Sequence, residues 1–276
     1  MKLRKVTAAS AVVLALAVSV TACGGDKKDD ASGGKKIKIG IKFDQPGLGL
    51  QEPDGSYSGF DVDVATYVAK KLGYQPNQIE WVQTKSADRE NALQRGDVKF
   101  IAATYSITDE RKQKVDFAGP YLLAHQDLLV KKGSDITKGT DLNGKKLCSV
   151  TGSTSAQNVQ KTIAPKANLR ELSGYSECVA GLQSGAVDAL TTDDSILAGF
   201  AAQDKYKGQF QLAGLKLSNE NYGIGVKKGD SATVDKINKA LEEMVSDKSW
   251  DKAVDKNFGP ANYKNEPAPK IGDIVK

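Results

Sequence analysis

The sequence predicts an α/β protein built from two lobes that face each other across a cleft. The chain has 276 residues, 39% of them hydrophobic, which is enough to bury one large core or two medium ones. Short apolar runs typical of strands alternate with amphipathic runs typical of helices. In addition, LQRGDV at residues 93–98 recurs as LQSGAV at residues 182–187. This repeat of a helix end, a glycine and a strand indicates two similar lobes, with chance repetition of a common pattern as the alternative.

The first 22 residues have the pattern of a secretory signal peptide. Basic residues precede an apolar run over residues 8–20, which is shorter than the roughly 18 residues that a membrane-spanning helix needs. Residues 20–23 then read VTAC, which resembles the bacterial lipobox, where a cysteine becomes the acylated first residue of the mature chain. We therefore expect a lipid on Cys23 and a protein anchored to the extracytoplasmic face of the cell membrane. An ordinary secretory signal cleaved nearby is the alternative.

Residues 23–36 consist of small and charged residues that are too polar to pack, so they predict a flexible tether. Removing the three basic residues of the signal lowers the formal net charge from +5 to +2 (5 − 3). Lysines and acids are interspersed and form no basic stripe, so nucleic acid is not an expected partner. No strand leads into a P-loop or a dinucleotide glycine motif. No cofactor is therefore predicted.

The three cysteines are predicted to comprise one lipid-attachment site and one pair that can form a disulfide. With Cys23 assigned to lipid, Cys148 and Cys178 remain, in a compartment where disulfides form. We predict that these two are bonded. A metal site is the alternative, but the chain has one histidine, His125, which does not supply the usual ligand cluster. No metal is predicted, and His125 is expected to be structural.

The first lobe is predicted to begin with a strand over residues 37–43, where apolar and polar residues alternate, with Lys42 near its carboxyl end. Residues 45–57 contain several Gly and Pro residues and predict a loop. A helix is predicted over residues 59–73, because apolar residues recur on one face, acids occupy the first turn and lysines the last. Gly73 is expected to end it.

Next come a strand over residues 79–82 and a helix that ends at Gly96. Ser86 is predicted to cap this helix, with Arg89 in its first turn. A buried strand over residues 98–102 follows.

The run TYSITDER at residues 104–111 follows that strand and is the centre of the predicted site. Thr108 is expected to cap the next helix, and Arg111 projects from its first turn. A planar guanidinium binds a carboxylate through two parallel hydrogen bonds, and the hydroxyls of Thr104 and Ser106 lie close by in sequence. The alternative is an ordinary surface helix with a solvated arginine.

The first lobe is predicted to comprise residues 37–130 and 222–276, and the second lobe residues 131–221. The remaining predicted strands cover residues 126–130, 146–150, 168–172 and 222–226. The remaining predicted helices cover residues 154–163, 232–245 and a segment around Trp250. Residues 260–276 are expected to follow the surface or fray.

The internal repeat predicts how charges are arranged in the cleft. Thr104 lies six residues beyond Val98, and Asp193 lies six residues beyond Val187. Equivalent strand ends therefore carry hydroxyls and an arginine in one lobe and a carboxylate in the other. Ligands of open α/β sheets bind at the carboxyl ends of strands, so the two lobes are expected to enclose a site with complementary charges.

The predicted first helix also carries a family resemblance. Residues 59–69 read GFDVDVATYVA, which resembles the signature of the family 3 bacterial solute-binding proteins, which capture polar amino acids for ABC importers. The resemblance extends over residues 36 to about 260 and includes the run at residues 104–111 and FAGPY at residues 117–121. It implies a two-lobed periplasmic-binding-protein type II fold with a hinge and an interlobe cleft. It also implies a monomer that delivers a free amino acid to ABC permease subunits.

The resemblance assigns the ligand's α-carboxylate to Arg111 and its α-ammonium to Asp193. Assisting hydroxyl groups are expected from Thr104, Ser106, Ser153 and Thr154. Because an α-amino acid carries both charges on one carbon, a buried site needs a fixed cation and a fixed anion. The chemistry of these residues therefore leads to the same roles.

Specificity is expected to depend on Lys42, Ser86 and Arg89. Family members that bind basic or neutral amino acids have an acid on the first strand and aromatic rings in the site. Lys42 and Ser86 occupy the corresponding places here, and with Arg89 they resemble the set of the acidic amino-acid binders. The alternative is that Lys42 and Arg89 extend into solvent. We expect glutamate as the ligand, with aspartate possible and glutamine or another polar amino acid as the alternative.

Binding rather than catalysis is expected. Dehydratases and cell-wall lytic enzymes share this fold, so an enzyme is the main alternative. A catalyst needs a poised acid or base in its pocket, whereas the charged candidates here all have salt-bridging roles. A sensor or adhesion lipoprotein is a third possibility, which would need another protein for any signalling.

Overall fold

The computed structural model describes residues 34–276, so the predicted signal peptide and Cys23 lie outside the described residues. The strands are β1 (Ile37–Ile41), β2 (Asp44–Gln45), β3 (Gly49–Gln51), β4 (Tyr57–Ser58), β5 (Ile79–Gln83), β6 (Phe100–Ile101), β7 (Val115–Lys131), β8 (Lys146–Val150), β9 (Asn168–Leu172), β10 (Ala189–Asp193), β11 (Phe210–Leu212) and β12 (Asn219–Lys227). The helices are α1 (Phe60–Lys71), α2 (Arg89–Arg95), α3 (Asp109–Lys112), α4 (Thr154–Asn158), α5 (Tyr175–Ser184), α6 (Asp194–Ala201), α7 (Ser231–Ser246) and α8 (Ser249–Phe258). None of the helices within residues 34–276 is both long enough and apolar enough to cross a membrane.

Two parallel blocks of strands flank two long antiparallel strands. The hydrogen-bonded order is β5-β1-β6-β12-β7-β10-β8-β9, and β11 also pairs with β7. Strands β1, β5 and β6 run parallel in the first lobe, and β8, β9 and β10 run parallel in the second. Strand β12 pairs antiparallel with both β6 and β7. The carboxyl ends of both parallel blocks face the space between the lobes, where Ser86, Thr104, Ser153 and Asp193 come together.

Strand β7 joins the two lobes. Its 17 residues pair with β12 up to His125, and from Gln126 onward with β10 and β11. The strand predicted over residues 126–130 is thus only the end of a much longer one. Strand β12 is also longer than predicted, because antiparallel pairing with β7 extends it at both ends. The exact division of the chain into lobes stays a prediction.

Helix α1 shows how local sequence fixes an element of the first lobe. Phe60, Val64 and Val68 are fully buried and belong to the main hydrophobic core, as the apolar face of the helix predicts. Gly59, with φ of 119°, precedes the helix and presses against the backbone of Leu48, where a Cβ atom would clash. The predicted helix is confirmed at this position.

Several local predictions are wrong in detail. The predicted loop at residues 45–57 contains the small sheet of β2, β3 and β4. Ser86 does not cap α2, because Asp88 occupies that position and Ser86 accepts a hydrogen bond from Lys42 instead. The helix predicted to residue 163 changes after Asn158 to π-helical geometry over Val159–Ile163.

Other local predictions are confirmed. Thr108 caps α3 by accepting a hydrogen bond from the backbone N–H of Arg111 at 3.2 Å. Cys148 on β8 and Cys178 on α5 are fully buried and form the predicted disulfide. The ring of His125 contacts Asn219 and Glu266, which is a structural role.

Among residues 34–276, no group of three His, Cys, Asp or Glu side chains is arranged to hold a metal ion.

The C-terminal segment follows the surface across the junction of the lobes. The Tyr263 hydroxyl donates to Asp194 at 2.8 Å, and Asn221 exchanges two hydrogen bonds with the backbone of Val275. The segment therefore contacts α6 of the second lobe as well as the shared strand β12.

Candidate ligand-binding site

A cavity of about 220 Å³ lies between the facing strand ends of the two lobes. It is lined by Ser86, Arg89, Thr104, Ser106, Arg111, Ser153, Thr154, Tyr175, Asp193 and Ile196. All the predicted ligand-binding residues except Lys42 are in this lining, and Tyr175 and Ile196 complete it. Its lining is mostly polar, with Ile196 as the apolar exception.

Arg111 is held on the cavity wall from both lobes. One guanidinium nitrogen, Nη1, donates to the Ser106 carbonyl at 2.8 Å, and Nη2 donates to the Gly152 carbonyl of the second lobe at 2.9 Å. The Nε atom lies 3.6 Å from the Glu90 carboxylate. Arg111 is only 8% exposed. The alternative of a solvated surface arginine is therefore wrong.

Arg89 is a second buried guanidinium on the same wall. It is 2% exposed, and its Nη1 donates to the carbonyls of Ala103 and Thr104 at 2.9 and 3.2 Å. Its Nε has no hydrogen-bond partner among the described residues. Burial, reinforced by Arg111, lowers the pKa of Arg89 to about 10, so it stays charged at neutral pH. Both guanidinium groups lie against the Tyr105 ring, 4.0 and 5.1 Å from its centroid.

Thr104 makes the sharp bend by which the chain leaves β6. Its φ of 46° lies in the left-handed region that β-branched residues rarely adopt. The bend is held by Asp61, which accepts a hydrogen bond from the Thr104 N–H at 2.9 Å and another from the Tyr121 hydroxyl at 2.6 Å. Burial raises the pKa of the Asp61 carboxyl to about 6, although these hydrogen bonds and the charges of Lys42 and Arg89 act in the opposite direction.

Lys42 lies behind the cavity wall. Its Nζ donates to the Ser86 hydroxyl at 2.8 Å, and it lines a separate recess of about 500 Å³ with Asp44 and Tyr175. Burial, together with Arg89, lowers the pKa of Lys42 well below its usual value. Lys42 thus reaches the cavity only through the Ser86 hydroxyl. The alternative interpretation, in which Lys42 extends into solvent, is wrong because Lys42 is 4% exposed.

Asp193 forms the opposite wall. It ends β10 and precedes α6, and it is 4% exposed. Its Oδ2 accepts a hydrogen bond from the Tyr222 hydroxyl at 2.5 Å, and its Oδ1 accepts one from the Ser155 hydroxyl at 3.4 Å. Burial, followed by the neighbouring Glu220 carboxylate, raises the pKa of Asp193 well above its usual value.

The turn before α4 brings two more hydroxyls to the cavity. Ser153 caps α4 by accepting a hydrogen bond from the Ala156 N–H at 3.1 Å. The Thr154 hydroxyl donates to Glu220 Oε2 at 2.9 Å. Gly152, with φ of 78°, brings this turn so close to the first lobe that a Cβ atom would lie 2.8 Å from the Ala87 Cα.

Four residues that line or support the cavity were not identified from the sequence. Tyr175 had a usable signal, because it closely follows β9, whose carboxyl end lies at the same edge of the sheet as those of β8 and β10. Ile196 gave no distinguishing signal within an apolar helix. Asp61 was interpreted as an ordinary acid of a first helical turn, and Glu220 precedes an apolar strand segment. In both cases the burial that changes their role depends on tertiary contacts.

Comparison with known proteins agrees with the family resemblance seen in the sequence. The family model described as bacterial extracellular solute-binding proteins, family 3, matches residues 37–260. The glutamate-binding protein GluB of Corynebacterium efficiens is 46% identical over 271 residues, covering 93% of this chain and 91% of GluB. The glutamine-binding protein GlnH of Bacillus subtilis is 39% identical, covering 90% of this chain and 95% of GlnH.

A solved structure supports the same fold. An ancestral arginine-binding protein bound to arginine superposes with a TM-score of 0.76 at 38% identity, covering 81% of this chain and 98% of that one. The predicted two-lobed fold is confirmed.

Proposed function

This chain belongs to family 3 of the bacterial extracellular solute-binding proteins, and we propose that its interlobe cavity binds an acidic amino acid, glutamate first and aspartate second. The balance of charge in the cavity lining carries this proposal. The lining contains two guanidinium groups, Arg89 and Arg111, and one carboxylate, Asp193. An acidic amino acid presents two carboxylates and one ammonium, which is the complementary set.

Each charge of the ligand then has a partner. The α-carboxylate pairs with Arg111, next to Ser106, and the α-ammonium pairs with Asp193. The side-chain carboxylate pairs with Arg89, whose Nε lacks a partner within the described part of the chain. Ser86 lies beside it and is oriented by Lys42, so Lys42 contributes through a hydroxyl rather than by direct contact.

Binding of the ligand is proposed to stabilise closure of the lobes. The lobes already contact each other directly at the cavity, where Arg111 donates to Gly152, and at the separate recess, where Asp44 accepts from the Ser176 N–H and hydroxyl at 3.3 and 3.2 Å. A ligand held by cations of one lobe and an anion of the other adds a bridge that exists only in the closed state. We place the hinge where β7 exchanges its partners, between His125 and Gln126.

We further propose that the protein is a monomeric lipoprotein that delivers its ligand to ABC permease subunits. The VTAC sequence ending at Cys23 and the family membership support this location. Intact-mass analysis of the membrane-extracted protein is expected to show an acylated Cys23 as the first residue. Substitution of Cys23→Ala should release the protein from the membrane fraction, and a variant that stays membrane-bound would contradict the anchor.

Glutamine is the second candidate ligand, favoured by the 39% identity to GlnH. An amide side chain would leave Arg89 without a countercharge in a buried site, which is unfavourable. Catalysis is not part of the proposal, because each charged residue of the lining has a binding role and the relatives reported above are binding proteins.

The experiment that tests the function is a calorimetric titration of the mature soluble domain with each of the twenty amino acids. We expect heat of binding from glutamate and aspartate, weaker binding of glutamine, and none from arginine. Proton NMR of the same mixtures after long incubation should show unchanged ligands. Absence of binding by every amino acid would overturn the function, and appearance of a product would support an enzyme.

A further inference from the structure

Glu220 is a buried acid beside the cavity. None of the proposed ligand contacts involves this residue. It lies on β12, the strand shared between the lobes, and is 4% exposed. Its Oε1 accepts a hydrogen bond from the Ser218 hydroxyl at 2.7 Å, and its Oε2 accepts one from the Thr154 hydroxyl at 2.9 Å. Thr154 itself lines the cavity. Glu220 is therefore connected to the cavity through one hydroxyl group.

Glu220 and Asp193 are two buried carboxylates whose hydrogen bonds come from neutral hydroxyls. Within residues 34–276, neither has a Lys, Arg or His nitrogen within 4.0 Å. The pair is close enough for the charge of Glu220 to disfavour ionisation of Asp193. Burying two like charges without a cation is unfavourable. A cation between them and the cavity would offset this energy, and Asp193 already borders the position where a ligand would supply one.

We propose that Glu220 is a positioning residue of the ammonium subsite, so that the ligand's α-ammonium is attracted by two carboxylates, by Asp193 directly and by Glu220 through Thr154. This inference rests on the proposed function, because it requires a ligand with an ammonium group. It adds a residue from the shared strand β12 to a site otherwise made of strand ends and helix starts. The ligand's ammonium would thereby interact with a carboxylate at the junction between the lobes.

Substitution of Glu220→Gln isolates the charge from the contacts. The amide oxygen can still accept one hydroxyl hydrogen bond, and the amide N–H can donate to the other hydroxyl after that group rotates. Removing a like charge beside Asp193 should leave the melting temperature of the ligand-free protein unchanged or raise it. Loss of affinity would then come from the ligand's ammonium. A purely structural role predicts the opposite sign for stability.

The test compares wild type, Glu220→Gln, Glu220→Asp and the control Glu171→Gln by calorimetry with L-glutamate and by thermal melting without ligand. Glu171 is an exposed acid on β9 of the second lobe, so it controls for the loss of one negative charge. We expect Glu220→Gln to weaken glutamate binding by at least about 10-fold without lowering the melting temperature. Glu220→Asp should restore part of the affinity, and Glu171→Gln should change neither quantity.

Three results would overturn the role of Glu220. These are glutamate affinity within about 2-fold of wild type in Glu220→Gln, a parallel fall of affinity and melting temperature, or an equal loss in Glu220→Asp. Thr154→Val provides a second variant, because it removes the connecting hydroxyl and keeps the shape. It should weaken binding in the same direction, and full affinity would count against the proposal. Failure of wild type to bind any amino acid would instead overturn the function on which the inference rests.

Discussion

The charged side chains of the cavity are held by neighbours that lie far away in the sequence. Arg111 contacts Gly152 of the other lobe, and Asp193 contacts Tyr222 of the shared strand. Their positions in the cavity lining were predictable from the sequence because strand ends and helix starts mark binding positions in this fold class. The position of Lys42 was not predictable in this way, because its ammonium group is directed by a hydroxyl that lies 44 residues further on.

Arg111→Ala is expected to weaken glutamate binding by at least about 2 kcal/mol, because a ligand carboxylate would be left desolvated and unpaired. Arg95→Ala is the matched control, since Arg95 is exposed and pairs with Asp97 on the surface. Calorimetry of both variants measures the difference. Retention of near-parental affinity by Arg111→Ala would remove Arg111 from the site.

The raised pKa of Asp61 predicts that the free energy of unfolding depends on pH. Its pKa is raised from 3.8 to about 6 in the folded protein, so between these values the folded state binds the proton more tightly than the unfolded state. Asp61 therefore contributes stability below about pH 4, and this contribution is lost as the pH rises to about 6. The difference between these two pKa values corresponds to roughly 3 kcal/mol in the free energy of unfolding.

Urea unfolding of wild type and Asp61→Asn measures this effect. Asparagine can keep both contacts, accepting from the Thr104 N–H and donating to the Tyr121 hydroxyl oxygen. We expect the wild type to lose stability relative to Asp61→Asn between pH 4 and pH 6.5. A difference between the two proteins that does not change with pH would contradict the assignment.

At the scale of elements, the parallel strands and the longer helices were predictable, because each carries its own period of apolar residues and its own end signals. Helix α1 and its terminal glycines are an example. Strand β7 was predicted too short, because FAGPY at residues 117–121 interrupts the apolar alternation with a glycine and a proline. Its extended conformation there depends on pairing with β12, which is not visible in local sequence.

The disulfide between β8 and α5 should affect stability and leave ligand preference unchanged. It closes a loop with a sequence separation of 30 residues, so the double substitution Cys148→Ala and Cys178→Ala should lower the free energy of unfolding by roughly 3–4 kcal/mol in the chain-entropy model. Neither cysteine lines the cavity. Chemical unfolding and glutamate titration measure the two quantities, with the reductant-treated double variant as control. A change of preferred amino acid would contradict this separation.

A glycine of helix α6 is expected to set a steric limit on how closely the two lobes approach. Gly199 lies against the Pro46 backbone of the other lobe, and a Cβ atom there would overlap the Pro46 carbonyl oxygen. Gly199→Ala is therefore expected to hold the lobes apart and weaken glutamate binding by at least about 10-fold, or roughly 1.4 kcal/mol. Gly181→Ala on α5 is the matched control, because its Cβ would meet Val187 at an ordinary 3.6 Å.

Small-angle scattering in saturating glutamate should show a larger radius of gyration for Gly199→Ala than for Gly181→Ala. Equal affinities and equal radii in the two variants would show that this contact does not limit closure.

At the scale of the whole molecule, the charges of the site are divided between the lobes. The first lobe supplies the cations Arg89 and Arg111, and the second supplies the anion Asp193. In the proposed function, a ligand with both signs of charge links the lobes, and its affinity is then expected to depend on the state of closure. The internal sequence repeat predicted this division, because it placed equivalent strand ends in separate lobes. It did not predict the shared strands that carry Tyr222 and Glu220.

The measurement that tests the central claim most directly is the ratio of glutamate to glutamine affinity, by calorimetry of wild type under identical conditions. Because Arg89 would lose a charge-assisted partner with glutamine, glutamate should be preferred by 10- to 100-fold, or roughly 1.5–3 kcal/mol. Arg89→Gln should shrink this preference, whereas the exposed Arg95→Gln on the same helix should keep it. Glutamine binding as tight as glutamate in wild type would contradict the acidic-ligand proposal.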